Sequence, residues 1–280
     1  MSQSEGTLLV PVANPDTVAR LLDTAIDLAR DRSMRIVVLN VVEVPPQIPL
    51  SDGDVLVEDD GEEERLLATA NDRVTEAGVQ VETTLRYARD VATGIVGAVD
   101  NHGADALLLG WRGRPRRRDI VLGSFVDRIL AGAPCDVFVK RIRSPDSEID
   151  SILVPVGGGP HTETAVDCAG SIADQRDAAV TLVTVLGTDA PADVRDDATD
   201  HLADHADRLS EKGPAVEPRI VENDHVAGAL TDETANHDLT VLGASEKSSL
   251  KRTLVGSVAE GVGRAAASQV ILARSGRVVD

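Results

Sequence analysis

Residues Leu107–Phe125 read LLLGWRGRPRRRDIVLGSF. The apolar run Leu107–Leu109 stops at Gly110, Gly113 follows after two residues, and Gly123 and Ser124 follow after nine more. Phe125, Val126, Ile129 and Leu130 then recur at helical spacing. The order is strand, glycine-bearing loop, helix start. Such a loop aims backbone N–H groups and a helix N-terminus at an anion, and its glycines let the anion come close.

Working outward, the chain repeats itself. TLLVPV at Thr7–Val12 matches SILVPV at Ser151–Val156, and IVVLNVV at Ile36–Val42 matches VTLVTVL at Val180–Leu186. Leu108–Gly110 matches Val241–Gly243, and Gly123–Ser124 matches Gly256–Ser257. The second copy is shorter, chiefly where the first carries an acidic insert, Ser51–Glu64, which reads as a mobile loop, a lid or a partner contact. Each copy alternates strand patterns with amphipathic helix patterns. Asp16, Asp90 and Thr162 are expected to open helices, Gly78 and Gly103 to end them. A long helix is expected over Asp193–Lys212 with Val194, Ala198, Leu202 and Leu209 inward. This alternation predicts an α/β fold of two domains, each built on a parallel sheet with right-handed crossovers. The domains are expected at residues 1–143 and 151–280, joined by a linker at 144–150.

Composition narrows the function classes. Of 280 residues, 47 are acidic and 28 basic, a formal charge of −19, which as a whole-molecule field disfavours nucleic acid and anionic membranes. Only Lys140, Lys212, Lys247 and Lys251 represent lysine, and the acidic excess reads as adaptation to a high-salt cytoplasm or as an ordinary acidic soluble protein. No apolar run reaches the roughly 18 residues of a membrane span, and the N-terminus lacks the basic region of a signal peptide. A soluble cytoplasmic protein is expected. Aromatic residues are 1% of the chain, so the cores rest on Val, Leu, Ile and Ala. Two cysteines, Cys135 and Cys168, form neither a metal motif nor a disulfide framework and read as core.

The repeat, the glycine spacing and APCDVFVKR at Ala133–Arg141 together resemble the universal stress protein family, and the resemblance spans nearly the whole chain as a tandem pair. It implies two Rossmann-like domains, each a five-stranded parallel sheet with helices on both faces, and a nucleotide, usually ATP and with or without Mg, at the C-terminal ends of the first domain's strands. Gly110, Gly113, Gly123 and Ser124 would hold its phosphates, with Arg112 and Phe125 beside them. Pro11, Val12, Ala13 and Val41 would line the nucleoside. The resemblance also implies domains paired through their last strands, here Val137–Lys140 with Val270–Ala273, within one chain or across a homodimer. The loop arginines Arg112, Arg114, Arg116, Arg117 and Arg118 suit phosphate oxygens, and equally suit a solvated loop facing acidic neighbours.

Two departures from the family pattern stand out. The family's Asp after VPV is Ala13 in the first copy and Gly157 in the second, a loss worth about 1–3 kcal/mol of binding if the acceptor is buried. In the second copy Glu246 also replaces the second motif glycine, placing a carboxylate where phosphates belong, so that copy is expected to be a structural partner. The expected function is a nucleotide-binding regulator. Its competitors are an interaction module that binds no nucleotide, attached for example to a transporter, and a slow ATP hydrolase. His201 and His205 share a helix face among aspartates and read as solvated rather than as metal ligands.

Overall fold

The computed structural model describes residues 6–57, 61–111, 124–142, 148–244 and 257–276. It divides into two compact units, residues 1–142 and 143–278.

In the first unit the order is β1 (Gly6–Pro11), α1 (Pro15–Asp31), β2 (Met34–Glu43), α2 (Glu62–Glu76), β3 (Val81–Ala88), α3 (Val91–His102), β4 (Ala106–Trp111), α4 (Ser124–Gly132) and β5 (Asp136–Arg141). The strands are parallel in the order β3-β2-β1-β4-β5. Leu8 pairs with Ile36 on one side and Ala106 on the other, and Gly110 pairs with Lys140. Strand centres are sealed on both faces: Leu8, Leu9, Val10, Ile36, Val37, Val38, Leu107 and Leu108 are fully buried. Continuous apolar runs, rather than alternating ones, are what a sheet covered on both faces requires.

The second unit repeats the plan with β6 (Ser151–Pro155), α5 (Pro160–Arg176), β7 (Ala179–Leu186), α6 (Ala192–Ser210), β8 (Val216–Glu222), α7 (Val226–Glu233), β9 (Leu239–Gly243), α8 (Ser257–Ala265) and β10 (Gln269–Arg274). Its strands run parallel in the order β8-β7-β6-β9-β10. The correspondence reaches individual hydrogen bonds. Asp105 Oδ2 accepts the Thr7 N–H at 2.8 Å, and Asp238 Oδ2 accepts the Ser151 N–H at 3.0 Å, closing the same strand start in each unit. Cys135 and Cys168 are both buried.

Several helix starts differ from the sequence expectation. α1 and α5 open at Pro15 and Pro160, ahead of Asp16 and Thr162, because proline's fixed φ and missing N–H suit the first helical turn. The Thr162 hydroxyl instead donates to the Gly158 carbonyl at 2.9 Å. Asp90 caps α3 as expected, accepting the Thr93 N–H at 2.9 Å, and Gly103 ends that helix at φ 57°. In α6 the inward stripe is Leu202, His205, Ala206 and Leu209, whereas Val194 in the first turn is 42% exposed. His205 therefore belongs to the packed face and not to solvent. The acidic insert is also more ordered than a loop. Leu50–Leu56 forms a 3-10 turn whose Gly53 lies flat on the Tyr87 ring, where a Cβ would sit 2.6 Å from a ring carbon. Burial of that ring, with Asp54, Glu63 and Glu64 nearby, pushes the Tyr87 hydroxyl above its usual range.

Candidate functional site

In the first unit the chain steps from β1 outward to β2 and β3, then returns across β1 to β4 and β5. The reversal lies between β1 and β4, and in open α/β sheets a crevice forms at such a point beyond the carboxyl ends of the strands. A cavity of about 280 Å³ occupies that position. The end of β1 gives Pro11 and the segment after it Val12, Ala13 and Asn14, β2 gives Val41, β4 gives Leu109 and Gly110, and α4 gives Phe125.

Local chemistry explains how each wall is held. Just past β1, the Val12 N–H donates to the Leu39 carbonyl at 2.8 Å, while the buried Asn40 amide donates to the Val12 carbonyl at 2.9 Å. Both polar groups of the Val12 peptide linkages at the cavity floor are thus met by β2, which fixes the exit path of the chain. Val41 is set by Gly94 of α3: a Cβ there would lie 2.9 Å from both the Val41 Cγ1 and the Ala88 Cβ. Without that glycine α3 could not approach the end of β2, and Val91 and Ile95 of α3 would not reach the cavity. α3 is tied to α4 by Arg128, whose guanidinium donates to Asp90 Oδ2 at 2.8 Å. That contact, with the Thr93 N–H, holds the Asp90 carboxyl down at about 2.

Of the residues expected at the site, Pro11, Val12, Ala13, Val41, Gly110 and Phe125 come together around this one cavity. Ser124 is the first residue of α4, one position before Phe125. Arg112, Gly113 and Gly123 lie outside the described residues, as do Glu246 and Gly256 of the second copy. Val18, Leu21, Val91, Ile95 and Ile142 also line the cavity, and the sequence reading missed them. Only their apolar spacing on helices or strand ends hinted at burial; nothing in the sequence joined them to Gly110. The described walls are therefore largely aliphatic, with Asn14 the polar side chain among them. A wall of this kind accepts a flat or apolar ligand group and leaves polar recognition to backbone groups.

In the second unit the matching reversal lies between β6 and β9. There the Val156 carbonyl accepts the Thr184 hydroxyl at 2.9 Å, the counterpart of Asn40 on Val12. Gly243, the counterpart of Gly110, meets main chain: a Cβ on it would be 2.9 Å from the carbonyl carbon and oxygen of His161. His161 is fixed in turn, its Nδ1 accepting the Ser275 N–H at 2.9 Å. His205, elsewhere in this unit, is 8% exposed, and its Nδ1 is 3.2 Å from Arg208. Burial, then Arg208 and His201, lowers its pKa. Among the described residues no group of three His, Cys, Asp or Glu is placed to hold a metal ion.

The universal stress protein family profile matches the chain twice, over residues 6–141 and 148–274. The chain belongs to the universal stress protein family. A universal stress protein of Mycobacterium tuberculosis is 29% identical over 272 residues, covering 88% of this chain and 90% of the relative. The Na(+)/H(+) antiporter NhaS5 of Synechocystis is 26% identical over 271 residues, covering 95% of this chain but 38% of the antiporter. Among solved structures, a universal stress protein from Archaeoglobus fulgidus superposes with a TM-score of 0.68 at 18% identity, covering 96% of each chain. No helix among the described residues is long and apolar enough to cross a membrane.

Proposed function

We propose that the chain is a nucleotide-binding regulatory protein whose first domain holds one adenine nucleotide, ATP with or without Mg, while its second domain acts as a structural partner. The observation that carries this reading is the convergence of Pro11, Val12, Ala13, Val41, Gly110 and Phe125 on one cavity at the reversal point of the sheet. Val41, Val91 and Ile95 offer aliphatic walls to a base, and Gly110 lines the same cavity. Two features support that role for the second domain: Glu246 in the glycine loop, and main chain packed on Gly243.

ATP-Mg titration of the native protein at high salt, beside Gly113→Glu, tests the reading. Saturation near one nucleotide per chain, lost in the variant, is the expected result. No saturation up to millimolar ATP would overturn it.

A second reading has one specific observation in its favour. The match to the Na(+)/H(+) antiporter NhaS5 spans almost all of this chain but only 38% of that protein. The chain would then be an interaction module that works alongside a cation transporter without binding nucleotide. Its signature is recovery of a transporter with the native protein in a pull-down that added ATP leaves unchanged.

A further inference from the structure

The outer strands β3 and β8 hold the same place in the two units, each with a neighbour on one side only. Val38 of β2 stands opposite Thr83 of β3, and Leu182 of β7, the counterpart of Val38, stands opposite Pro218 of β8. Along β3 the even-numbered residues face β2: the Gln80 and Ala88 carbonyls accept the N–H groups of Ile36 and Val44, both at 2.8 Å. The N–H and C=O groups of Val81, Thr83, Leu85 and Tyr87 therefore point away from the sheet, and they meet no hydrogen-bond partner among the described residues. Along β8 the odd-numbered residues face β7, the Ala215 carbonyl accepting from Val180 and the Asn223 N–H donating to Leu186, both at 2.8 Å. Pro218 thus belongs to the outward set. A residue without an N–H costs no bond there and denies one to any strand that approaches. β3, which reads VETTLRYA, has no proline.

We propose that β3 is a pairing edge for a second copy of this chain, the two β3 strands lying antiparallel about a two-fold axis at Thr84. The strand fits itself in that register. Val81 falls opposite Tyr87 and Thr83 opposite Leu85, all with outward N–H and C=O groups, so each such pair closes both of its hydrogen bonds. Between them Glu82 falls opposite Arg86 of the second copy, opposite charges at the closely spaced positions of the ladder. Arg35 holds the Glu82 carboxylate at 2.9 Å and leaves the side chain 47% exposed. A slip of two residues in either direction breaks the charge pair and leaves Val81 or Tyr87 without its match. The same rim carries apolar surface. Leu50 and Val55, 44% and 70% exposed, lie on the 3-10 turn whose Gly53 rests on the Tyr87 ring.

Sedimentation equilibrium of the native protein, Thr83→Pro, Glu82→Arg and Arg86→Glu tests this, in the lowest salt at which the native chain stays folded, so that the charge pairs are not screened. Thr83→Pro copies the proline of the second unit at the matching place and removes an N–H that the single chain does not use. The native protein should dimerise reversibly. Thr83→Pro should raise the dimer Kd at least about tenfold, since the two-fold axis repeats the lost bond, with circular dichroism unchanged. Glu82→Arg and Arg86→Glu each bring like charges together and should weaken the dimer, and mixing the two variants should restore it. A native protein that stays monomeric at high micromolar concentration would overturn the proposal, as would a native dimer left intact by a folded Thr83→Pro. If Thr83→Pro does not fold, the charge variants decide: recovery on mixing supports the β3 pairing, and its absence overturns it.

Discussion

Gly94→Ala puts the packing argument for the cavity at risk in a single methyl group. The new Cβ would lie 2.9 Å from the Val41 Cγ1 and from the Ala88 Cβ, against a comfortable carbon–carbon separation of roughly 3.5–4.0 Å. α3 must then retreat by on the order of half an ångström to one ångström, or the end of β2 must give way. Overpacking of this kind costs about 1–3 kcal/mol. The alanine recovers about 1 kcal/mol of helix propensity, so the expected net loss is about 0–2 kcal/mol. The same helix supplies its own control. At Gly97 a Cβ would meet only the Arg86 guanidinium at 2.9 Å, a flexible end that can swing aside. Gly97→Ala is therefore expected to gain up to about 1 kcal/mol. Urea unfolding followed by circular dichroism measures both variants, and Gly94→Ala should fall about 1–3 kcal/mol below Gly97→Ala, the difference of those two estimates. ATP binding should weaken in the first and persist in the second, since Val41, Val91 and Ile95 all border the cavity. Equal stability and equal ATP binding in the two variants would refute the claim that Gly94 sets the approach of α3.

Two titrations follow from the ion pairs and from burial. Arg128→Ala should raise the Asp90 pKa from about 2 toward the 3.8 of an unperturbed aspartate, measurable by carboxyl NMR. Because the folded value is the lower one, the pair stabilises above pH 4 and fades as the pH falls toward 2; an unmoved Asp90 would mean that Thr93 alone holds it. His205, buried beside Arg208, has a folded pKa below its ordinary 6.5, so the unfolded chain takes up the proton first. Native stability should then decline as the pH drops below about 6.5, and His205→Leu should flatten that decline between pH 7 and 5. An identical slope in both proteins would count against it.

Much of the fold could be read from the sequence because parallel strands sealed on both faces leave continuous apolar runs, as at Leu8–Val10 and Ile152–Val154. The six expected residues that meet at the cavity were legible through the family resemblance, which the VPV after the first strand and the glycine spacing carried. Ile142 and Leu21 were not legible. Their meeting over Gly110 depends on the sheet order, which places β4 between β1 and β5 and brings residues far apart in sequence together. Gly94 carried no signal either, since a glycine inside a helix pattern reads as a weakness until the neighbouring strand is in place. Val194 misled for the opposite reason. It keeps the helical period of Leu202 and Leu209 but lies in the first turn of α6, beyond the buried stretch that Leu202 begins.

The paired bonds of Asn40 to Val12 and Thr184 to Val156 say what duplication has preserved here. Each spans 28 residues and ends on a carbonyl at 2.9 Å, yet one donor is an amide and the other a hydroxyl. The inherited quantity is a proton at one point in space, and the residue type that delivers it is free to drift. Asn40→Thr should therefore be a silent exchange between the halves, whereas Asn40→Val, nearly the same shape as threonine, leaves the Val12 carbonyl without its donor.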